Sequence, residues 1–305
     1  MKLVKFKVAD DIHSHIGLVH NLLDSCSSSN SLEVIDLTAS ISGAEPIDLL
    51  VELRQFGPDS VESAARKSPH LEILFDDLRS PLTRPGKFLA IGYNYRAHAD
   101  EVETAISDFP LFFNKQISCI SGPRAPIIRP QDCSKLDYEG ELAFVIGERC
   151  SHVSPDEAPS KIAAWLVCND ISARDWQRQS PTITLGKSYD SFGPIGPWLV
   201  TPDEVNDPHM LTIRTTVNDE VRQNGSTSEM ICNVFEQIAV LSTRCTLEPG
   251  DLVTTGSPAG SAQGREPSPW LTPGDLVRVE IESVGSLENR VIEPASVSSG
   301  RESDQ

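Results

Sequence analysis

Glu139 and Glu141 stand two apart in "LDYEGELAFVIG", residues 136–147, and an unbroken apolar run follows them. The residues from Leu142 to Ile146 have the β-branched and aromatic content of a buried strand. Side chains alternate across a strand. Glu139, Glu141, Ala143 and Val145 are therefore expected on one face, and Tyr138, Leu142, Phe144 and Ile146 on the other. A solvent-facing row stays polar along its length, but this one turns apolar after Glu141, as where a buried strand emerges into a cavity. A second apolar strand, in "AAWLVCNDISARD", delivers Asp170 at its end. Like charges ~4 Å apart repel by about 4 kcal/mol per pair at an effective dielectric of 20, so three converging carboxylates call for a cation. An oxygen-only set suits a hard ion, Mg²⁺ or Mn²⁺, with positions left for water and substrate. The plainer alternative is an exposed acidic pair at a strand end.

Three further stretches carry groups able to act beside such an ion. In "FLAIGYNYRAHADEVE", His98 and Glu101 are three apart and share a face if the segment is helical. A carboxylate that fixes one imidazole tautomer prepares a general base. In "SARDWQRQSPTITLGKSYDSFGPIGPWLV", Arg174 and Gln177 are again one turn apart, and Lys187 lies between Gly186 and Ser188. Such donors are what an oxyanion or enolate requires. In "TTGSPAG", Gly256 and Ser257 form a turn whose amides and hydroxyl can hold a substrate carboxylate. Each has an ordinary reading too: a surface helix, surface polars, a loop. The chain lacks GxSxG, GxGxxG, Walker A and HExxH patterns, which removes support for the usual serine hydrolases, Rossmann enzymes, P-loop NTPases and zincins.

The elements that must position these groups read as follows. Residues 1–82 form a small variable N-terminal unit, with a strand in "MKLVKFKV", an amphipathic helix in "IDLLVELRQF" and a serine-rich loop, "DSCSSSNS". Residues 83–293 show short apolar runs separated by Gly, Pro, Asn and Asp, the pattern of a β-rich α+β domain. Within it, Asn218-Asp219 marks a hairpin turn, and Pro-Gly-Asp turns precede strands from Pro249 and Pro273. One helix is expected through Ile231, Val234, Phe235, Ile238 and Leu241, with Ser226 and Glu229 as a capping box. Residues 294–305 read as a disordered tail.

The length of 305 residues suffices for a full core, and the net charge of -18 argues against nucleic acid or an anionic membrane as partner. No apolar run approaches the ~20 residues needed to span a bilayer. The first residues read as a strand, not a signal peptide. Seven scattered cysteines without CxxC spacing suggest reduced thiols in the cytoplasm.

Six stretches in register, "GYNYRAHADE", "DYEGELAFVIG", "VCNDISARDWQ", "LGKSYDSFGPIGPWLV", "QNGSTSEMI" and "TTGSPAGS", resemble the fumarylacetoacetate hydrolase family from about residue 87 to 292. The resemblance implies a mixed β-roll or sandwich-like catalytic domain, usually in a homodimer. It implies a divalent ion, usually Mg²⁺, held by Glu139, Glu141 and Asp170, and a lid-helix dyad of His98 and Glu101. It places Arg174, Gln177 and Lys187 at the reacting centre, and Tyr95, Thr255, Gly256 and Ser257 against the substrate. Relatives carry "TGT" where this chain has Thr255-Gly256-Ser257, so a hydroxyl is kept and a methyl is missing. The family's founding hydrolase takes a fourth carboxylate ligand from its Gly-Tyr segment; "IGYNY" offers none, which points to the acylpyruvase and diketo-acid branch.

The expected reaction is hydrolytic C–C cleavage of a 2,4-diketo acid. His98 activates water, Lys187, Gln177 and Arg174 stabilise the oxyanion, and the metal neutralises a pyruvate enolate. Decarboxylation of oxaloacetate or another β-keto acid, and keto–enol or double-bond isomerisation, are alternatives on the same site. A non-catalytic protein that binds a small acid ranks last, because no ligand or dyad residue is missing.

Overall fold

Strands dominate because the apolar runs are short and rich in β-branched residues. The computed structural model describes residues 1–9, 11–21, 30–40 and 45–295. Most of the serine-rich loop and of the tail lies outside those residues. Four strands come first: β1 (Lys2–Lys7), β2 (Ser14–Asn21), β3 (Ser31–Asp36) and β4 (His70–Leu74), with helices α1 (Pro46–Phe56) and α2 (Pro58–Ala65) between the last two. Then follow β5 (Phe88–Gly92), α3 (Arg96–Glu101), β6 (Leu111–Asn114), β7 (Gly140–Ile146) and β8 (Ile162–Asn169). Helices α4 (Arg174–Gln177) and α5 (Thr184–Lys187) lead to β9 (Gly193–Val200), β10 (Thr212–Val217) and β11 (Glu220–Ser226). The chain closes with α6 (Val234–Ser242), β12 (Leu252–Thr254), β13 (Leu276–Ile281) and β14 (Gly285–Ile292).

The main sheet runs β4-β3-β2-β1-β9-β8-β7-β12-β5-β6, and a second sheet runs β11-β10-β13-β14. The N-terminal strands join the main sheet where Lys2 of β1 pairs with Val200 of β9. Strands β7, β8 and β9 are buried along their whole length. One face explains this through Phe144, Trp165, Val167 and Trp198, which pack with Ile213, Val279, Ile281 and Leu287 of the second sheet. On the other face, Ala143, Val145, Leu166 and Cys168 share a cluster with Phe88, Phe192 and Ile195. Strands covered on both faces read as continuous apolar runs, as these do.

Local chemistry explains several boundaries. Asn218 and Asp219 take left-handed φ values of 50° and 67° in the β10–β11 hairpin, as a primed turn demands. Gly250 and Gly274 of the two Pro-Gly-Asp turns have φ of 88° and 101°, values that favour glycine. Helix α6 departs from expectation. Its capping box is formed by Asn233 and Glu236, while Ser226 caps a single 3₁₀ turn, Thr227–Glu229, and Ile231 is exposed ahead of the helix. Asn233 competes better for the cap because its Oδ1 accepts from both Phe235 N (3.0 Å) and Glu236 N (3.1 Å). Tyr138 also departs: it packs in the cluster of Ala143 and Val145, not with Leu142 and Phe144. The alternation is reset because Tyr138 and Glu139 lie between the short strand Leu136–Asp137 and β7.

Candidate active site

Burial forces Glu139 and Glu141 to look into a cleft. Gly140 stands between them because the second sheet leaves no room for a side chain. A Cβ there would lie 2.4 Å from Thr215 Oγ1 and 2.8 Å from Val279 Cγ1. The cleft, of about 50 Å³, is lined by Glu139, Glu141, Asp170, His98, Arg174, Gln177, Lys187 and Ser257 among others. The three carboxylates expected to converge therefore do face one space, although Asp170 comes from the end of β8. The Asp170 N–H donates to Glu139 C=O at 2.8 Å, and Asn169 Oδ1 accepts from Glu139 N at 3.0 Å. These bonds tie the two strand ends together.

Cations surround the carboxylates. The Lys187 ammonium sits between Glu139, which it touches, and Asp170, 2.6 Å away. Arg174 reaches Glu139 at 2.8 Å and Asp137 at 2.9 Å, and donates to Gln177 Oε1 at 2.8 Å along one turn of α4. Glu139 is driven well below the usual carboxylate range: burial opposes this, but the charges of Arg174 and Lys187 outweigh it. Glu141 behaves in the opposite way. Burial, then the negative charges of Asp170 and Glu139, push it up to about 8, and its Oε2 accepts only one short backbone bond, from Gly256 N at 2.9 Å. A buried donor set made only of oxygens fits a hard divalent cation, which would take the place of the Glu141 proton. Glu139, Glu141 and Asp170 line the cleft together and would be the residues to hold one.

The dyad forms as its spacing requires. His98 Nδ1 lies 2.7 Å from Glu101 Oε1, and His98 Nε2 lies 3.4 Å from Glu139 Oε1. Burial disfavours charge on the imidazole, but its hydrogen bonds to Glu101 and Glu139 prevail and raise its pKa to about 9. Glu101 is itself gripped by the loop after Ser257, since Gly260 N donates to Glu101 Oε2 at 2.8 Å. Helix α3 is thus pinned beside the cleft.

Not every expected residue reaches the cleft. Tyr95 is fully buried in the core at the N-terminus of α3 and does not line it. The tyrosine that does is Tyr93, stacked on His98 with ring centroids 6.1 Å apart. Its φ of 55° is strained for a bulky residue; the turn swings Tyr93 outward and Tyr95 inward. Thr255 also lies behind the wall, its Oγ1 donating to Leu142 C=O at 2.9 Å. Gly256, with φ of 87°, contributes its N–H to Glu141. Ser257 lines the cleft, and its buried Oγ has no hydrogen-bond partner.

Two supporting residues escaped the sequence reading. Lys115, buried just after β6, contacts Asp170 Oδ1 at 2.5 Å and the carbonyls of Lys187 and Phe192. Asp137, fully buried, holds Arg174 and accepts from Ala262 N at 2.7 Å and Gln263 N at 3.1 Å. The only available signal was a charged residue inside each apolar context, "FFNKQIS" and "KLDYEG".

Comparison with known proteins gives this geometry its class. The family model described as fumarylacetoacetate (FAA) hydrolase C-terminal matches residues 87–292. The chain belongs to the fumarylacetoacetate hydrolase family, an enzyme family whose members include hydrolases, isomerases and tautomerases. It is 36% identical to the mitochondrial oxaloacetate tautomerase of Xenopus laevis over 96% of this chain and 90% of that one. It is 43% identical to the 2,4-didehydro-3-deoxy-L-rhamnonate hydrolase of a Sphingomonas strain, over 70% of this chain and 75% of the other. The crystal structure of maleylpyruvate hydrolase from a Sphingobium strain, in complex with manganese (II) ion and pyruvate, superposes with a TM-score of 0.76 at 27% identity, covering 96% of this chain and 99% of that one.

Proposed function

We propose that this protein interconverts the keto and enol forms of a short 2-oxo acid of the oxaloacetate type, with Mg²⁺ or Mn²⁺ held by Glu139, Glu141 and Asp170. The ion would supply Lewis-acid polarisation of the 2-oxo group. The observation that carries the reading is the His98–Glu101 pair, at 2.7 Å. Tautomerisation needs one group that gives and takes a proton at the substrate carbon, and His98 is the one imidazole lining the cleft. From the enol side, His98 delivers its proton to C3 while the enol O–H proton passes to solvent, leaving the C2 carbonyl and a neutral imidazole that regains a proton from solvent. In reverse, neutral His98 takes the C3 proton, the C–H electron pair forms the C2–C3 double bond, and the C2 oxygen takes a proton from solvent. The hydrogen bonds to Glu101 and Glu139 hold the proton on His98, which keeps the imidazole charged and able to donate at neutral pH. Arg174 and Lys187 each already bind two carboxylates, which leaves them to orient the acid more than to stabilise a distant oxyanion. Full-length similarity to the frog tautomerase supports the same assignment.

The test follows enol absorbance with Mg²⁺ present. His98→Gln is expected to slow its decay by roughly 10²–10⁴-fold; an unchanged rate would remove His98 from the reaction.

Hydrolytic cleavage of a 2,4-diketo acid is a second reading, favoured by one observation. A wider groove of about 700 Å³ adjoins the cleft through Ile91, Gly92, Tyr93 and Leu111, with room for a longer acyl arm. Similarity to the rhamnonate-pathway hydrolase supports it. Release of a carboxylic acid and pyruvate from acetylpyruvate distinguishes the two. A homodimer and a reducing compartment belong to the same proposal. Free thiols such as Cys119, Cys168 and Cys232 suit the cytoplasm and equally the mitochondrion named for the frog relative.

A further inference from the structure

A second donor cluster lies on the N-terminal strands, built from different chemistry. His20 of β2, Glu33 of β3 and His70 of β4 each offer one ligand atom, and these atoms lie within 4.8 Å of one another. The register places them together. Asn21 pairs with Glu33, with an irregularity between Val19 and Asn21 that frees His20 from strict alternation. Across the next pair, Ile35 opposes His70, so His70 and Glu33 are diagonal neighbours on one face. His70 Nδ1 lies 3.0 Å from Glu33 Oε1, and the His20 and His70 rings meet edge to face with centroids 4.8 Å apart.

A second carboxylate adds negative potential to the same face. Glu33 stands directly opposite Glu72 in the β3–β4 register, and like charges directly opposed across strands are destabilising. The Ser31 hydroxyl donates to Glu72 at 2.7 Å, which orients that carboxylate.

We propose that His20, Glu33 and His70 form a second metal site, specific for a borderline cation such as Zn²⁺. Two imidazoles and one carboxylate are a donor set for Zn²⁺, whereas Mg²⁺ prefers oxygen. The site therefore differs in metal class from the cleft of Glu139, Glu141 and Asp170. Ligand bonds of ~2.0–2.1 Å in a tetrahedron put donor atoms about 3.3 Å apart. The His70–Glu33 separation already meets that, and His20 closes the remainder by side-chain rotation at the surface. An ion held there ties β2, β3 and the edge strand β4 together, so it stabilises the outer end of the main sheet.

The experiment compares zinc content in the presence of excess Mg²⁺. Metal-stripped wild type and His20→Ala/His70→Ala protein are equilibrated with Zn²⁺, freed of unbound metal and analysed by elemental mass spectrometry. Wild type is expected to retain one more Zn²⁺ per chain than the double variant, and to gain more in Tm from added Zn²⁺. Zinc bound at the catalytic cleft is common to both proteins and cancels. The single variant His70→Gln, which keeps the strand surface polar, is run beside it, with enol turnover as the check on folding. Equal zinc content in wild type and either folded variant would overturn the proposal.

Discussion

Lys187 Nζ lies 2.6 Å from Asp170 Oδ2, and the other oxygen of that carboxylate is held at 2.5 Å by Lys115. Asp170 is thus fixed between two buried ammonium groups, one at the cleft and one behind it. Removing one partner of a buried ion pair costs ~3–5 kcal/mol, because the other charge is left uncompensated. Lys115→Met is expected to lose stability of that order in urea denaturation and to weaken Mg²⁺ binding through a displaced Asp170. A variant as stable as wild type would show that Lys115 is dispensable.

The grip of the 260-loop on Glu101 yields a second prediction. A Cβ on residue 264 would lie 2.3 Å from Glu101 Cδ. Gly264→Ala must therefore push the carboxylate away from His98 and from Gly260 N. The expected outcome is a fall in kcat of at least tenfold with Mg²⁺ affinity retained, read by calorimetry beside kinetics.

Glu141 sets a pH dependence. Burial, then the negative charges of Asp170 and Glu139, raise it to about 8, so below that pH it carries a proton that a cation must displace. Mg²⁺ affinity is expected to fall as pH drops below about 8, by up to ~10-fold per unit, with close to one proton released on binding. The metal-free protein behaves in the opposite sense. A carboxyl whose folded pKa is raised contributes stability below its unfolded value, lost as pH rises through about 8. Calorimetry in buffers of different ionisation enthalpy checks the proton count.

Ser257 tests substrate contact. Its buried Oγ faces the cleft without a hydrogen-bond partner, and a net hydrogen bond to substrate is worth about 0.5–1.5 kcal/mol. Ser257→Ala is expected to raise KM roughly 2- to 10-fold with kcat little changed, the signature of uniform binding. Ser257→Thr keeps the hydroxyl and is expected to stay near wild type.

Much of this site was legible because its residues sit at points where apolar runs stop. Glu139, Glu141 and Asp170 end buried strands, and the three-residue spacings of His98 with Glu101 and Arg174 with Gln177 survive on α3 and α4. What periodicity cannot show is direction at a chain reversal. Tyr93 and Tyr95 have the same type two residues apart, and only the positive φ at Tyr93 decides which one faces the cleft. Lys115 and Asp137 stayed hidden for a related reason: their partners are 55 and 37 residues away, so no local spacing records the contact. The cap of α6 was misplaced because Ser226-x-x-Glu229 and Asn233-x-x-Glu236 both satisfy the pattern, and only the second precedes the helix.

In the proposed reaction His98 carries the proton between enol and keto acid, beside an ion that Glu139, Glu141 and Asp170 would hold. The most direct measurement follows freshly dissolved enol-oxaloacetate with metal-stripped protein, before and after adding Mg²⁺, with products quantified, for wild type and Glu141→Ala. For the proposed reaction, Mg²⁺-dependent loss of enol absorbance, no matching pyruvate and little acceleration by Glu141→Ala are expected. Enol loss that is indifferent to Mg²⁺ and to Glu141→Ala, or matched mole for mole by pyruvate, would contradict it.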